Sequence, residues 1–377
     1  MSPEPRPLAS TAESRVPDPG APPTRETRVP SALLPFLPPL TALLIAAVIG
    51  DLLILAFGQS PREVFALLID GTWGNAYGLG QVLYKATTLV CTGLAVALGI
   101  RSGLFNIGAE GQLAFGGFAA AIVGLWLPGG TPALVAVPLC VFASLAGGAA
   151  AAVVPGALKA KFGASEVIVT IMVNFIVVAF LNWIVAAHLS VAEQLHTGEI
   201  RAGAVPRLAA MIPSFHGSAA NFTILIAIAA AIATGWYLFR SRAGYELRAV
   251  GLQPEAAEYG GVKVGSVWFR TLVLSGALAG LGGVNYVLGY KQYYEEGFGA
   301  GSGYLGIAVA LVGRNHPVGV VLAALLFATL SQGGLAVNAL VPKQLVDVLT
   351  AIVIIAVATA VPEVQRMLHA AAGRKPA

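Results

Sequence analysis

Long apolar segments that carry almost no charge constrain the fold of this chain more than any other feature of its sequence. A helix needs about 20 apolar residues to cross a bilayer, and most of the segments have that length. Only 11% of all residues are charged, against about 25% in an average soluble domain. We therefore predict an all-α, polytopic membrane protein with about ten transmembrane helices, some of them broken or re-entrant. The segments are 33–57, 82–100, 104–127, 133–154, 167–187, 222–239, 267–288, 304–313, 318–337 and 345–361.

The charges between these segments predict the orientation and the domain organisation. Residues 1–30 lack an apolar core and are rich in Pro, Ser, Glu and Arg, which predicts a disordered cytoplasmic tail. With ten crossings, sixteen of the 22 lysines and arginines lie in the tails or on the side that the positive-inside rule assigns to the cytoplasm. We predict a transmembrane domain over 31–363 and a cytoplasmic C-terminal tail over 364–377, with both termini cytoplasmic.

Two segments share a short internal repeat. GLAVALGIR (93–101) and GIAVALVGR (306–314) match at six of nine positions, and both end at an arginine on the predicted cytoplasmic side. Transporters often contain such repeats with the substrate path between them, although nine small apolar residues can also match by chance. The second copy falls in the segment 304–313, which is too short to cross unaided. It is either half of a broken helix or extends back through Gly301.

Polar side chains inside the apolar segments are the candidates for a substrate path, because an unpaired polar group in hydrocarbon costs several kcal/mol. For Glu110 the alternatives are an ion pair with Arg101 or a carboxylate that caps a helix break. For the amides the alternative is hydrogen bonding between helices. The candidate path residues are Asn106, Glu110, Gln112, Asn174 and Asn182.

The predicted cytoplasmic loop 241–266 contains a short helix. A proline at the first helical position with an acidic residue after it favours a helix start at Pro254, and Gly260 then ends the helix. Such a helix suits docking to a partner, and an ordinary solvated loop is the alternative. The candidate coupling residues are Arg248, Glu255, Ala256, Ala257 and Tyr259.

Motifs for catalysis are absent from the sequence. There is no phosphate loop of the GxxxxGK[ST] type, no HExxH and no GxSxG. The five histidines are scattered, and the two cysteines lie in apolar runs, which predicts neither a metal site nor a cofactor. The net charge of +4 is too small to indicate nucleic acid as a partner. These absences favour a transport protein that is not itself an enzyme.

Several blocks of the sequence resemble the permease subunits of bacterial ABC importers for nucleosides and simple sugars, the branch related to the ribose and branched-chain amino acid permeases. The most specific blocks are GLFNIGAEGQL (103–113), SEVIVTIMVNFIV (165–177) and RAVGLQPEAAEYGGVKV (248–264). The resemblance extends over about residues 79–361. It implies a multi-pass protein of the bacterial cytoplasmic (inner) membrane, surrounded by lipid.

The resemblance also implies partners and a substrate class. ATP hydrolysis would be carried out by a separate ATP-binding cassette ATPase subunit, which docks at 248–264. A second permease subunit would form a heterodimer with this chain, and a substrate-binding lipoprotein or periplasmic protein would deliver purine nucleosides. A simple-sugar permease is one alternative. The other is an ion-driven secondary transporter, in which Glu110 and Asp51 would carry protons.

Overall fold

The structure, a computed structural model, describes residues 37–191, 194–299, 301–342 and 344–356. The predicted tails 1–30 and 364–377 lie outside these ranges. Within the described ranges, all regular secondary structure is helical. The helices are α1 (Leu37–Ala56), α2 (Pro61–Asp70), α3 (Ala76–Arg101), α4 (Ala109–Trp126), α5 (Ala133–Phe162), α6 (Glu166–Leu189), α7 (Thr223–Arg240), α8 (Arg242–Leu252), α9 (Pro254–Tyr259), α10 (Val264–Lys291), α11 (Ser302–Val312), α12 (Pro317–Ala336) and α13 (Gln344–Ala356).

Six of these helices, α3, α5, α6, α7, α10 and α12, are long and apolar enough to cross a membrane. The apolar end of α1 and helix α2 meet at a bend of 114° and count as a seventh crossing if they form one span. Each of the ten predicted segments contains a helix. Three of these helices are not counted as crossings: α11 and α13 are short, and α4 is less apolar because its first turn carries polar residues. The prediction of an all-α polytopic membrane protein is confirmed.

Helices α5 and α10 approach each other closely. Their backbones meet at glycines, because a Cβ on Gly280 would lie 2.5 Å from the carbonyl oxygen of Ser144. The Ser144 hydroxyl donates a hydrogen bond to the Gly280 carbonyl oxygen at 2.6 Å. Small residues allow such close approach in membranes, where packing and hydrogen bonds hold helices together. The Gly276–Gly280 pair therefore serves packing, as its GxxxG spacing predicts.

The two repeat segments lie side by side and run in the same direction. A Cβ on Gly93 would lie 2.7 Å from Val309, and one on Gly306 would lie 2.6 Å from the Thr92 hydroxyl. At the end of the pair, the Arg101 guanidinium donates a hydrogen bond to the Asn315 carbonyl oxygen at 2.9 Å. Both segments thus end on one side, as predicted. The two segments are in tight contact at these positions.

Helix α11 begins inside the bundle. It has 11 residues and is therefore about 16 Å long, roughly half of a bilayer core of about 30 Å. Before it, Gly297, Gly299 and Gly301 have φ values of 72°, 69° and 84°, which side chains rarely adopt. The helix does not extend back through Gly301, and the alternative of half a broken helix is the correct one.

Candidate translocation site

Glu110 caps the N-terminus of α11 from the first turn of α4. Its two carboxylate oxygens accept hydrogen bonds from the backbone N–H groups of Gly301 and Gly303, both at 2.7 Å. The side chain is buried, with 8% exposed. An anion at this position satisfies N–H groups that have no partner within the helix and also faces the positive end of the helix dipole. Of the two alternatives for Glu110, the capping carboxylate is correct, because Arg101 contacts Asn315 instead.

The amides of Asn106 and Gln112 join the turn before α4 to two other helices. The Asn106 amide nitrogen donates to the Gln112 side-chain oxygen at 2.9 Å and to the Ser275 hydroxyl on α10 at 2.7 Å. Ser275 in turn donates to the Ala95 carbonyl oxygen on α3 at 2.6 Å. All three side chains are at most 2% exposed. Their hydrogen bonds are therefore made inside the protein.

Asn174 connects α6 to the same turn. Its amide nitrogen donates to the Ile107 carbonyl oxygen at 2.7 Å, and its oxygen accepts from the Gly111 N–H at 2.9 Å. We call Asn106, Glu110, Gln112, Asn174 and Ser275 the polar joint. It ties the start of α4 to α3, α6, α10 and α11. Asn182, two turns further along α6, is half-buried and is not part of the joint.

Four of the five joint residues are among the candidates that the sequence offered for a substrate path, whereas Ser275 and the two glycines bound by Glu110, Gly301 and Gly303, are not. A serine among small apolar residues gives no signal of its own. The glycine spacing of 297–303 could have indicated a helix start in the membrane, because N–H groups of such a start need an acceptor. Glu110 was the obvious candidate for that acceptor. The amides of the joint make hydrogen bonds between helices, which is the role that the sequence analysis gave as the alternative to lining a path.

A chain of aromatic side chains leads from the joint towards the opposite end of the bundle. Tyr286 contacts Ser302 at the start of α11 through an O–O distance of 3.0 Å. Its ring packs edge-on against Phe298 at 5.3 Å between centroids, and Phe298 stacks on Tyr294 at 4.7 Å. Phe118 packs against Tyr294 at 5.4 Å and is half-exposed. Sequence reasoning missed this chain, because its members come from α4, α10 and the following loop.

The predicted coupling loop is divided by the structure into an inner and an outer face. Helix α9 spans Pro254–Tyr259, as predicted. Glu255 and Ala256 are exposed, and Tyr259 is 98% exposed. Ala257 is 7% exposed and packs in an apolar cluster with Leu98 and Leu247, so its predicted place on the contact surface is corrected.

Arg248 faces inward as well, with its guanidinium 5.5 Å from the centroid of the Phe239 ring. Leu252, which was not predicted, is 88% exposed and joins Tyr259 on the outer face.

An ion-pair cluster fastens α8 to α10. The Glu246 carboxylate lies 2.9 Å from Arg270 and 3.2 Å from Arg242. The hydrogen bond from Arg270, and after it the contribution of Arg242, lowers the pKa of the Glu246 carboxyl below its ordinary value. Glu246 therefore stays ionised near neutral pH. The cluster connects the outer face of the loop to the helix that carries Ser275.

The described ranges contain no group of three or more His, Cys, Asp or Glu that could hold a metal ion. The structure combines membrane-length helices, a half-length helix capped inside them and a small helix whose outer side is exposed. These features define a polytopic membrane transport protein. The chain belongs to the family described as branched-chain amino acid transport system / permease component, whose model matches residues 78–358.

Curated relatives place the chain further within ABC transporters. It is 38% identical to the guanosine ABC transporter permease protein NupP of Bacillus subtilis, over 86% of this chain and 93% of that protein. It is 35% identical to the nucleoside ABC transporter permease protein NupB of Lactococcus lactis, over 85% of this chain and 90% of the relative. The glucose ABC transporter permease protein TsgB13 of Haloferax volcanii is 32% identical, over 87% and 88%.

A second permease from B. subtilis, NupQ, is also similar but at 28% identity, over 65% of this chain and 77% of that protein. No solved structure matches the chain. The relatives are named as ABC transporter permeases, so this chain is a transport component rather than an enzyme, and ATP hydrolysis belongs to a separate subunit.

Proposed function

We propose that the chain is the permease subunit of an ATP-driven importer of nucleosides, with purine nucleosides as its substrates. The observation that carries the proposal is the similarity over nearly the whole length of NupP and NupB. A simple-sugar permease is the second candidate, which the similarity to TsgB13 supports at lower identity. Family membership favours ATP-driven import over the ion-driven alternative.

The proposal includes specific partners and a location. The relatives come from systems with two different permeases, and the chain is more similar to NupP than to NupQ. This difference supports a heterodimer with a second, distinct permease subunit. The importer is completed by an ABC ATPase, which contacts α9, here called the docking helix, in the docking loop 241–266. A substrate-binding lipoprotein or periplasmic protein binds on the opposite side. We place the importer in the bacterial cytoplasmic membrane, with α9 on the inner side.

Helix α10 is the proposed connection between the ATPase and the polar joint. It carries Arg270, which pairs with Glu246 of the docking loop, and Ser275, which binds Asn106. These positions are five residues apart, or about 7.5 Å along a helix. A shift of the docking helix would therefore reach the joint through a rigid element, and switching of packed helices between two arrangements is a common mechanism.

In this proposal, the polar joint gates the path and the aromatic chain forms its wall. Asn106, Glu110, Gln112 and Asn174 hold the start of α11 in one arrangement and release it in the other, and Asn182 lines the path further along α6. Nucleobases stack on aromatic rings, and this stacking accepts any of the bases because each has a π-face. Tyr304, 41% exposed in the first turns of α11, supplies a ring next to the gate.

Uptake measurements test the proposed function. The chain, expressed with its neighbouring permease, ATPase and binding-protein genes, is expected to drive saturable uptake of guanosine and adenosine that is lost without ATP. A Walker-lysine variant of the ATPase is the control. Uptake of ribose or galactose alone would transfer the proposal to the sugar class, and transport by the purified chain in liposomes with only a pH gradient would contradict the ABC mechanism.

The docking surface gives a separate prediction. Replacing both Leu252 and Tyr259 by Ser is expected to reduce ATPase co-purification about tenfold or more. Truncating a side chain at the centre of an interface costs about 2 kcal/mol or more at a hot spot, and each increment of about 1.4 kcal/mol is tenfold in affinity. Both side chains are almost fully exposed, so the fold is expected to be unchanged. Co-purification is measured by quantitative pull-down.

Tyr77→Ser is the matched control for the docking variant. Tyr77 is 50% exposed and lies in the first turn of α3, at the opposite end from the docking loop. ATPase recovery is expected to stay at the wild-type level in this control. Full recovery in the Leu252/Tyr259 variant would remove this face from the interface. Ala257→Arg is a poorer test, because Ala257 is buried and the substitution would disturb the loop itself.

A further inference from the structure

Two arginines meet at one aromatic ring where α3, α7, α8 and α12 come together. The Arg101 guanidinium lies 5.8 Å from the centroid of Phe239, and that of Arg248 lies 5.5 Å from the same centroid. His316 stacks on this ring at 5.3 Å, directly before α12. The cluster joins the ends of both repeat segments, through the hydrogen bond from Arg101 to the Asn315 carbonyl oxygen. It is separate from the polar joint and from the exposed face of α9.

The charges of this cluster are not balanced within the part of the chain that is described. The four ion pairs found there involve neither Arg101 nor Arg248. The Nε atom of Arg248 is buried and has no hydrogen-bond partner, and the same holds for the side-chain oxygen of Asn315. Since a buried, unpaired polar atom is costly, the unpaired donor of Arg248 leaves the cluster with capacity for a ligand that accepts hydrogen bonds. Because guanidinium groups donate in a planar fork, that capacity suits an oxyanion.

The surroundings of the cluster add to its preference for an anion. Helix α12 begins at this end of the bundle, where its dipole is positive. Burial and the charge of Arg101 lower the pKa of His316, so its imidazole is neutral near pH 7 and the positive charge comes from the arginines. Arg101 and Arg248 are each half-buried, which leaves the cluster accessible from outside.

We propose that Arg101 and Arg248, arranged around Phe239, form a binding site for a phosphate-bearing anion at the predicted cytoplasmic face of the membrane domain. Phosphate oxygens would accept hydrogen bonds from the free donors of both guanidinium groups. The same chemistry is offered by the headgroup of an anionic phospholipid and by free phosphate. Basic pockets between transmembrane helices on the cytoplasmic side commonly bind lipid headgroups.

The position at the helix ends points to the lipid. Phe239 is 39% exposed and Trp236, one turn earlier on α7, is 64% exposed, and such aromatic side chains are enriched at the level of the headgroups. A bound headgroup would hold the ends of α3, α8 and α12 together. It would thereby connect the docking loop to the lipid composition of the inner leaflet.

The experiment uses the full importer complex, solubilised in detergent. Thermal unfolding is measured with added phosphatidylglycerol, with phosphatidylcholine and with inorganic phosphate. Stabilisation by phosphatidylglycerol but by neither of the others is expected for the lipid, whereas stabilisation by phosphate alone identifies a free anion as the ligand. Equal responses to phosphatidylglycerol and phosphatidylcholine, with none to phosphate, would overturn the proposal.

Variants connect the response to the cluster. Arg101→Gln and Arg248→Gln are each expected to raise the concentration of anion needed for half-maximal stabilisation about tenfold. Arg240→Gln is the matched control, because it removes the same charge from an exposed residue next to Phe239, and it is expected to respond as the wild type does. An equal loss in all three variants would indicate general surface charge and overturn the site. Arg248→Lys, which keeps the charge, provides a folded variant if Arg248→Gln does not accumulate.

Discussion

Glu110→Gln is expected to destabilise the protein by about 2 kcal/mol, since hydrogen bonds to a charged partner contribute about 1.5–3 kcal/mol. The glutamine keeps one acceptor oxygen and places an NH2 group opposite a backbone N–H of Gly301 or Gly303, where a second acceptor is needed. The neutral side chain also loses its interaction with the positive end of α11. Because α11 begins inside the membrane domain, no water replaces the lost acceptor. Because the cap is proposed to gate the path, uptake per molecule in the membrane is also expected to fall about tenfold or more, which corresponds to about 1.4 kcal/mol or more in the barrier.

The measurement combines thermal unfolding of the purified complex with uptake normalised to the amount of protein in the membrane. Glu63→Gln is the control, because Glu63 lies exposed in the first turn of α2, and both quantities are expected to be unchanged. Wild-type stability and wild-type uptake in Glu110→Gln would contradict the role of the cap. A loss of stability with normal uptake per molecule would restrict Glu110 to a structural role.

Gly280→Ala is expected to have the other large effect, a destabilisation of about 3 kcal/mol. The new methyl group would lie 2.5 Å from the Ser144 carbonyl oxygen and 2.8 Å from the Gly148 Cα. Both are backbone atoms, so relief requires moving α5 away from α10 rather than rotating a side chain. That movement would also break the hydrogen bond from Ser144 to Gly280. The measurement is the fraction of monodisperse protein in detergent after heating.

Gly235→Ala is the matched control, because it is the same substitution at a helix position that has room for a methyl group. A methyl group there would lie 3.8 Å from Pro317, which is an ordinary contact, and alanine stabilises a helix by about 1 kcal/mol relative to glycine. This variant is expected to be as stable as the wild type or more stable. If both glycine variants lost stability equally, the close approach of α5 and α10 would not be the cause.

The sequence predicted most elements of the fold, because the bilayer imposes a simple rule on it. Apolar length located a helix in each of the ten predicted segments but neither α2 nor α8. A proline followed by an acidic residue located α9 with its observed bounds. The same reasoning failed at Ala257, since a six-residue helix has too few positions to show which face is buried. For the repeat, the sequence showed the similarity of the two copies, and the structure added that they pack against each other.

The candidate site was only partly predictable. Asn106, Glu110, Gln112 and Asn174 were recognisable as polar groups at membrane depth, because each needs a partner there. Which partner each one has depends on helices that are distant in the chain, as the 191 positions between Glu110 and Gly301 illustrate. Ser275 and the aromatic chain carry no local pattern that distinguishes them from other residues of a membrane helix.

The sequence by itself determined that this protein is an all-helical membrane protein, and its blocks 103–113, 165–177 and 248–264 determined the family that it resembles. Both properties are local, since apolar length and short motifs can be recognised without knowing what packs against them. Only the tertiary structure decided that Glu110 caps α11 and that Arg101 and Arg248 share one ring. Hydrogen bonds and packing between distant helices depend on distances of a few ångströms, which spacing along the chain does not encode.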